Sequence, residues 1–472
     1  MRQKAPAKSL NFIIDVLNWR PMANPSSSDT SLIVPEWIAP VVPAGQVLRG
    51  HALAVRAGRI EAVLPLAEAD ARYPDAARQV LDSHLLIPGL VNLHTHAAMS
   101  LLRGIGDDLP LERWLRERIW PAESRLAGHE FVHDGSLLAA REMLLGGVTT
   151  FNDMYFFPEA TAQAARALGM RVALGLIVIG FPSAWASTPA DYLRKGLNLR
   201  DELRGEERLS FCLAPHAPYT VDEDTLRQVA MLANELELPV HIHVHETATE
   251  VDDSIRQHGR RPLDRLDALG LVGPQLLAVH AVHLTPAEID LLGERGASVA
   301  HCPHSNLKLA SGIAPVAQLL KTGVNVGIGT DGSASNNRLD LLQEARTATL
   351  LAKANAHDAA AWPAHRVLHA LTLGGAQALG LDSRIGSIEA GKCADLVAID
   401  LSATELSPIF DPVAQLVYAA GREHVSHVWI DGVPVVEKRQ LVLRSAISAV
   451  GEVLGRMAVW QNRVQVALEI PS

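Results

Sequence analysis

The sequence predicts an α/β protein in which a (β/α)8 TIM-like barrel carries a small β-sandwich domain built from both chain termini. Two patterns support this prediction. Residues 88–380 alternate short apolar runs rich in Val, Ile and Leu with amphipathic helical stretches, and about eight such units are enough to close a barrel. Residues 29–87 and 381–440 instead contain short strand-like runs separated by turn signals, so we expect the two ends to meet in one β domain.

The chain ends outside these regions are predicted to be accessory. Residues 1–28 are interpreted as an N-terminal extension, in which the apolar piece "LNFIIDVLNW" is interrupted by Asp15 and is too short to span a bilayer. Residues 441–472 are predicted to form a C-terminal helical segment. No later apolar run reaches transmembrane length, so no membrane partner is expected.

The composition disfavours several classes of protein. The 472-residue chain is 48% hydrophobic, enough for a sizeable core, and its formal net charge is −10. An acidic chain without a basic stripe is a poor partner for a nucleic-acid polymer or an anionic membrane. The three cysteines, Cys212, Cys302 and Cys393, lie far apart, which predicts no disulfide framework and a reducing, cytoplasmic location.

Most of the predicted barrel strands end in a polar residue that can take part in chemistry. The strand candidates are, in order, "LVNLHTH", "GVTTFNDM", "RVALGLIVI", "LSFCLAPH", "PVHIHVHE", "LLAVHAVH", "ASVAHCPH" and "VNVGIGTD". Active sites in this fold lie at the C-terminal ends of the strands. The His, Asp and Glu residues at these ends can therefore converge on one point although they are far apart in the sequence.

The first predicted strand carries a candidate metal-binding pair. His94 and His96 are two residues apart, so on a strand both side chains point to the same face. In "HIHVHETATE" we expect His243 to be the next ligand, because His241 lies deeper in the barrel. His241 and His245 are expected to support the ligands or to pack in the core.

The remaining candidates complete a site for one divalent ion. Asp331 ends the last strand in "GIGTDGSASNN", and three imidazoles with one carboxylate suit zinc, with Fe²⁺ as the alternative. Such an ion lowers the pKa of a bound water towards about 7 and so supplies a nucleophile. Glu246 and Asp331 are placed to move protons. The stretch "AVHAVHL" supplies His280 and His283, of which His280 could hold the nucleophile by a hydrogen bond.

Other residues are given a structural interpretation or left open. His301 and His304 in "HCPHSNLKL" are expected to be supporting or structural, although His301 ends a strand. Trp114 and Trp120 fit the wall of an apolar pocket, and they fit plain core packing at least as well. A non-catalytic barrel that stores metal or acts as a scaffold is a further alternative, disfavoured because all the proton-handling candidates are present.

Five motifs together resemble those of a known enzyme superfamily. "PGLVNLHTHAAMSLLRG", "HVHETATE", "AVHAVHL", "SNLKLASGIAPV" and "GTDGSASNN" look like the amidohydrolase superfamily, and more closely like its branch of 5-methylthioadenosine/S-adenosylhomocysteine deaminases and triazine chlorohydrolases. The resemblance covers roughly residues 31–440. It implies one metal ion per subunit, usually zinc, held by the residues that match His94, His96, His243 and Asp331.

The resemblance also implies roles for the other candidates. His280 matches the histidine that contacts the metal-bound water, and Glu246 matches the glutamate that protonates the ring nitrogen beside the attacked carbon. Asp331 then carries the proton to departing ammonia. In the nucleoside deaminases of this branch, the residue matching Glu123 of "WPAE" grips the ribose hydroxyls, and the residue matching His216 of "APHAPYT" hydrogen-bonds the purine. A homo-oligomer is expected at the level of the family.

The predicted reaction is zinc-dependent hydrolytic deamination of the adenine ring of a nucleoside. S-adenosylhomocysteine has a carboxylate that an arginine would recognise, but "ALGLIVIGFPSAWASTPADY" contains none, and the next arginine is Arg194. We therefore predict 5′-methylthioadenosine as the preferred substrate, ahead of S-adenosylhomocysteine and adenosine. The open alternatives are a triazine chlorohydrolase and a guanine or cytosine deaminase of the same superfamily.

Overall fold

The computed structural model of the protein describes residues 30–469, which form two β-sheets with associated helices. The strands are, in chain order, β1 (Ser31–Ile38), β2 (Leu48–Arg49), β3 (His51–Arg56), β4 (Arg59–Pro65), β5 (Ala77–Pro88), β6 (Leu90–Thr95), β7 (Val148–Asp153), β8 (Arg171–Val178), β9 (Leu209–Pro215), β10 (Val240–Val244), β11 (Leu276–His280), β12 (Ser298–His301), β13 (Asn325–Ile328), β14 (Leu396–Asp400), β15 (Val425–Ile430), β16 (Val433–Glu437) and β17 (Gln440–Leu441).

Helices cover most of the remaining chain. They are α1 (Leu66–Arg72), α2 (Leu111–Trp114), α3 (Trp120–Leu126), α4 (His129–Leu145), α5 (Pro158–Leu168), α6 (Pro189–Leu203), α7 (Glu223–Leu236), α8 (Ala248–His258), α9 (Pro262–Ala268), α10 (Pro286–Arg295), α11 (Pro303–Lys308), α12 (Val316–Lys321), α13 (Ser333–Asn336), α14 (Leu341–Ala356), α15 (Ala364–Leu371), α16 (Leu373–Ala378), α17 (Pro412–Tyr418), α18 (Arg444–Gly455) and α19 (Met457–Leu468). Within this described part, no helix is long and apolar enough to cross a membrane.

The first sheet joins the two ends of the chain. Its nine strands run in the order β17-β16-β15-β14-β5-β1-β3-β4, with β2 paired to β1. Strand β5 is the link, because it pairs with β1 in parallel and with β14 in the antiparallel direction. Only Gly89 separates β5 from the barrel, and a side chain there would collide with Thr149. The small domain is therefore tightly connected to the first barrel strand.

The second sheet is a parallel barrel of the eight strands β6 to β13, arranged in chain order. Strands β6 to β12 are buried along their whole length except for Ser210, which explains why most of them read as continuous apolar runs. The seam between β6 and β13 is closed by Asn92, whose amide accepts from Thr330 N at 2.9 Å and donates to Thr330 Oγ1 at 2.8 Å. A backbone bond from Asp331 N to His94 O adds to the closure.

This architecture confirms the predicted α/β class, the eight-stranded barrel and a second β unit built from both ends of the chain. The domain limits assigned from the sequence, 29–87, 88–380, 381–440 and 441–472, stay a prediction. The interpretation of residues 1–28 as an extension falls outside the described residues. The three cysteines are buried and unpaired.

The C-terminal helices are tied to the barrel by an ion pair whose carboxylate is buried and whose arginine is partly exposed. Arg456 at the junction of α18 and α19 donates to both oxygens of Asp134 on α4 at 2.6 and 2.9 Å, and Trp460 Nε1 donates to the same carboxylate at 2.8 Å. These partners outweigh the effect of burial and lower the pKa of Asp134. Helix α19 also packs on α3, the helix that carries Glu123.

Candidate active site

Four predicted metal ligands meet at the C-terminal ends of three barrel strands. His94 lies on β6, His96 follows it, His243 lies on β10, and Asp331 follows β13. His94 Nε2 is 3.2 Å from His243 Nε2 and 3.3 Å from Asp331 Oδ1, which is also 3.4 Å from His96 Nε2. The structure therefore brings together the residues that the sequence had placed far apart.

The hydrogen bonds of the imidazoles show why a cation fits between them. Nδ1 of His96 donates to Met154 O at 2.6 Å, and Nδ1 of His243 donates to His216 O at 2.7 Å. A carbonyl oxygen only accepts, so in the neutral rings each Nε2 keeps its lone pair. Burial and neighbouring imidazoles hold the pKa of His243 well below its usual value, so this ring stays neutral.

Facing lone pairs at this separation repel one another, and a positive ion relieves the repulsion. Burial lowers the pKa of His94 to about 4, so a proton is a poor substitute for that ion at neutral pH. Three imidazole nitrogens and one carboxylate oxygen form a donor set typical of zinc. His241 lies behind this set, with its Nε2 2.9 Å from His94 Nδ1, which agrees with its predicted supporting position.

The proposed proton-handling residues stand beside the metal cluster. His280 Nε2 is 3.8 Å from Glu246 Oε2, and both residues are buried. Burial raises the pKa of Glu246. His280 and Asp331 have left-handed backbones, with φ of 70° and 61°, which non-glycine residues seldom adopt and which cost on the order of 1 kcal/mol each. Strain of this kind is typical of positions where function dictates the turn.

Seven of the eight predicted site residues line one cleft. The eighth, His94, is buried next to two of them, His243 and Asp331. The cleft is open to solvent and, with that solvent included, spans about 760 Å³. Its lining comprises His96, Met99, Leu111, Trp114, Leu115, Ile119, Trp120, Glu123, Met154, Tyr155, Phe156, Ile177, Ile179, Phe181, His216, Tyr219, His243, Glu246, His280, Leu309, Asp331 and Ser335. Trp114 and Trp120 both belong to the cleft wall. Trp114 is also buried in a hydrophobic core cluster, so both interpretations hold for it.

Glu123 is held over the cleft by an interrupted helix. Residues 111–126 run from α2 through a π-helical turn, Leu115–Ile119, into α3. Pro121 explains the wide turn, because it has no N–H for the carbonyl of Glu117 and its ring would crowd that group in a regular α-helix. The extra residue keeps Leu111, Leu115, Ile119 and Glu123 on one face, and all four line the cleft.

Tyr155 is the partner of Glu123 that the sequence did not reveal. Its hydroxyl donates to Glu123 Oε1 at 2.7 Å. Burial raises the pKa of Glu123 to about 7, against the opposing effects of this hydrogen bond and of His96. His216, the other predicted substrate-binding residue, has its Nδ1 2.9 Å from Thr220 Oγ1 and lines the cleft.

The other histidines lie outside the cleft lining. Strand β10 ends at Val244, and His245 has a φ of 58°, so it does not continue the alternation of His241 and His243. Its side chain instead accepts from Leu263 N at 3.1 Å and contacts His283 O. His301 is buried, and His304 is hydrogen-bonded to Glu344. These positions agree with the structural interpretation of His245, His301 and His304.

The chain is similar to one enzyme family and to deaminases along most of its length. Residues 85–435 match the amidohydrolase family. The chain is 45% identical over 443 residues to a 5-methylthioadenosine/S-adenosylhomocysteine deaminase from Teredinibacter turnerae, covering 94% of this chain and 99% of the relative. It is 44% identical over 398 residues to a 5′-deoxyadenosine deaminase from Methanothermobacter thermautotrophicus, covering 83% and 90%.

A solved structure extends the comparison to three dimensions. The crystal structure of an adenosine deaminase from Xanthomonas campestris with bound zinc superposes on this chain with a TM-score of 0.89 at 49% sequence identity. The match covers 92% of this chain and 98% of that one. The relatives are therefore similar along nearly their whole length, barrel and terminal sheet together.

Proposed function

Since the chain belongs to the amidohydrolase family, we propose that it catalyses the hydrolytic deamination of the adenine ring of a nucleoside, with release of ammonia. The observation that carries this proposal is the meeting of three groups of residues in one cleft. A donor set for a divalent ion, the buried pair of Glu246 and His280, and the carboxylate of Glu123 all converge there. The names of the deaminase relatives support the same reaction class.

The proposed metal site uses His94, His96, His243 and Asp331, whose lone pairs fit a zinc ion. When bound, such an ion acidifies a water molecule so that hydroxide is available near neutral pH. Two of the proposed ligands, His96 and His243, are already oriented by the protein, because carbonyl oxygens hold their Nδ1 atoms.

The chain's own residues supply the proton transfers that the reaction needs. Addition of water to the ring carbon that bears the amino group requires a proton on the adjacent ring nitrogen and another on the leaving amine. We assign the first to Glu246, because its raised pKa keeps the carboxyl group protonated at a higher pH than an exposed glutamate would be. Asp331 is assigned the removal of a proton from the attacking water and the delivery of that proton to the departing ammonia. His280 is assigned the hydrogen bond that orients the attacking oxygen.

Recognition of the nucleoside is assigned to Glu123 and His216. The Glu123 carboxylate would accept hydrogen bonds from the ribose hydroxyls, and His216 would contact the purine. Both line the same cleft as Glu246, so one substrate can reach all three side chains.

The cleft favours a nucleoside with an apolar 5′ substituent. Its wall is rich in Trp, Phe, Leu and Ile, and no Lys or Arg lines it among residues 30–469. Arg194, the first arginine after the third barrel strand, is largely exposed and pairs with Asp191 at 2.5 Å on α6. A methylthio group fits such a wall, whereas the carboxylate of S-adenosylhomocysteine would be left without a cationic partner. We therefore propose 5′-methylthioadenosine as the preferred substrate.

One experiment tests the reaction and the substrate together. The metal-loaded enzyme is incubated with 5′-methylthioadenosine, S-adenosylhomocysteine, adenosine, guanine, cytosine and a chlorotriazine, and ammonia and chloride are measured. We expect the highest kcat/KM for ammonia release from 5′-methylthioadenosine. A higher value with S-adenosylhomocysteine would overturn the assignment of the 5′ wall. Preferential turnover of guanine or cytosine, or release of chloride, would overturn the proposed reaction.

We also propose a cellular location and an assembly state. The three buried, unpaired cysteines suit a reducing compartment, and we propose the cytoplasm. A homo-oligomer is proposed from the family resemblance, and light scattering of the purified protein tests it directly.

A further inference from the structure

Two adjacent side chains on α11 hold the two residues that flank the proposed reacting centre. Ser305 Oγ donates to Asp331 Oδ2 at 2.6 Å, and Asn306 Oδ1 accepts from His280 Nδ1 at 2.8 Å. Ser305 and Asn306 are 0% and 1% exposed, so water does not compete for these bonds. Both belong to the stretch "SNLKL", to which no role has been assigned so far.

Ser305 determines which oxygen of Asp331 faces the imidazoles. Oδ1 accepts from Gly332 N at 2.7 Å and lies 3.3 and 3.4 Å from Nε2 of His94 and His96. Oδ2 points the other way and is fixed by the Ser305 hydroxyl. Without this hydroxyl the carboxylate would be free to rotate, and the position of Oδ1 would be less well defined.

Asn306 determines which nitrogen of His280 carries the proton. The amide oxygen can only accept, so the imidazole proton is held on Nδ1 and Nε2 retains its lone pair. This is the nitrogen that lies 3.8 Å from Glu246 Oε2 inside the cleft. An acceptor at this point can receive a hydrogen bond from the attacking oxygen, whereas the other tautomer would present an N–H.

Helix α11 is itself firmly anchored, so it can act as a rigid support. Lys308 Nζ donates to Asp107 Oδ1 at 2.7 Å and to Ala334 O at 3.0 Å, which joins the helix to α13 and to the loop before α2. Asp107 lies in the segment that leads to Glu123, and Ala334 lies three residues after Asp331.

We propose that Ser305 and Asn306 form one positioning element that orients Asp331 and His280 for the reaction. The proposal rests on the function proposed above. Neither residue contacts the cleft directly, since neither contributes to its lining. They act through the residues that they hold, and they are positioning residues rather than catalytic ones.

The two halves of the element predict different defects. Ser305→Ala should weaken metal binding and lower kcat, each by about tenfold to a hundredfold, because the supporting hydrogen bond of a ligand is lost. Asn306→Leu should leave metal affinity and KM within about twofold of the parent and lower kcat by about tenfold or more, because only the tautomer of His280 is released. Asn306 Nδ2 is already without a partner among the described residues, so replacing the amide removes little else.

The test combines a chelator competition for metal affinity, steady-state kinetics and the melting temperature of the metal-free protein. Ser305→Thr retains a hydroxyl and should restore metal affinity, and Asn306→Asp retains an acceptor and should restore most of kcat. Ser333→Ala is the matched control, because Ser333 is a buried serine two residues from Asp331 that contacts Ser100 instead. It should leave both readouts unchanged.

The outcomes separate this proposal from the proposed function. If both variants kept kcat and metal affinity within about twofold of the parent, the positioning role would be overturned. A general packing defect would change kcat and KM by similar factors and lower the melting temperature of the metal-free protein. That result would also overturn the positioning role. If the parent deaminated no nucleoside, the proposed function would fail, yet the chelator competition on Ser305→Ala would still decide the role of that hydroxyl.

Discussion

Tyr155 donates a 2.7 Å hydrogen bond to Glu123, and the residue before it, Met154, accepts the Nδ1 proton of His96 through its carbonyl oxygen. One dipeptide after strand β7 therefore aligns a proposed metal ligand and the proposed ribose acceptor at the same time. The distance between the reacting end and the ribose end of the cleft is in this way fixed by covalent geometry.

Removing the Tyr155 hydroxyl should affect substrates that have ribose hydroxyls. A hydrogen bond to a charged group contributes roughly 1.5–3 kcal/mol, so Tyr155→Phe should lower kcat/KM for adenosine by about tenfold or more. The value for 2′,3′-dideoxyadenosine should change little, because this substrate has no hydroxyls for Glu123. Tyr219→Phe, at another tyrosine of the cleft, is the control. An equal loss with both substrates would contradict the role of Tyr155.

The raised pKa of Glu123 predicts a pH-dependent KM. Burial raises this pKa to about 7, so the carboxylate takes up a proton as the pH falls through that value. The protonated Glu123 carboxyl group has one acceptor fewer for the ribose hydroxyls. KM for adenosine should therefore rise towards low pH and fall towards high pH. Tyr155→Phe removes a bond that stabilises the charged form, so the midpoint should move upward. Steady-state KM between about pH 6 and 8 measures this, and a flat profile with adenosine would argue against the assignment.

The π-helical turn predicts an effect of deleting a single exposed residue. Removing Glu117 should take one residue out of the π-helical turn and so rotate Glu123 by about 100° relative to Leu111. The preference for adenosine over 2′,3′-dideoxyadenosine in kcat/KM should then disappear. Glu117→Ala keeps the residue count and should retain the preference. A deletion variant with its preference intact would show that the turn does not place Glu123.

Glu246→Gln tests the proposed proton donor. The change keeps the size of the side chain but removes the acid, so metal content should be unchanged while kcat falls by about a hundredfold or more. Metal is measured by elemental analysis and turnover by ammonia release. A kcat near that of the parent would remove Glu246 from its proposed role.

His243→Ala tests the proposed metal site. Loss of one of four ligands should lower the bound metal to well below one ion per subunit after dialysis. His301→Gln is the matched control, because His301 is a buried histidine at the end of barrel strand β12 that lies outside the cleft lining. Unchanged metal content in His243→Ala, measured by elemental analysis, would refute the assignment.

The sequence predicted the parts of the fold and site that follow from simple periodicity. Alternation along a strand placed His94 and His96 on one side, and the rule that barrel active sites lie at strand ends joined them to His243 and Asp331. Alternation does not extend to His245, because its left-handed backbone after Val244 turns the side chain away from the strand face. Such a turn depends on contacts made later in the chain.

The supporting residues could not be predicted from periodicity. Glu123 was found only through a family resemblance, because its position depends on a π-helical turn that no hydrophobic pattern encodes. Tyr155, Ser305 and Asn306 act through hydrogen bonds between loops that follow different strands. Their only signal in the sequence is that polar or aromatic residues stand immediately after buried strands or at the first turn of a helix.

The seam at Asn92 has a consequence for how the protein behaves when metal is scarce. An eight-stranded parallel sheet that failed to close would have two free edges, at β6 and β13, and free edges pair readily with other chains. His94 and His96 stand at one of these edges and Asp331 at the other, so an ion held by these proposed ligands would connect the two edges across the gap. Its binding energy adds to barrel closure by thermodynamic linkage. In the metal-free protein this seam should therefore open faster and the chain should aggregate more readily, in addition to any loss of turnover.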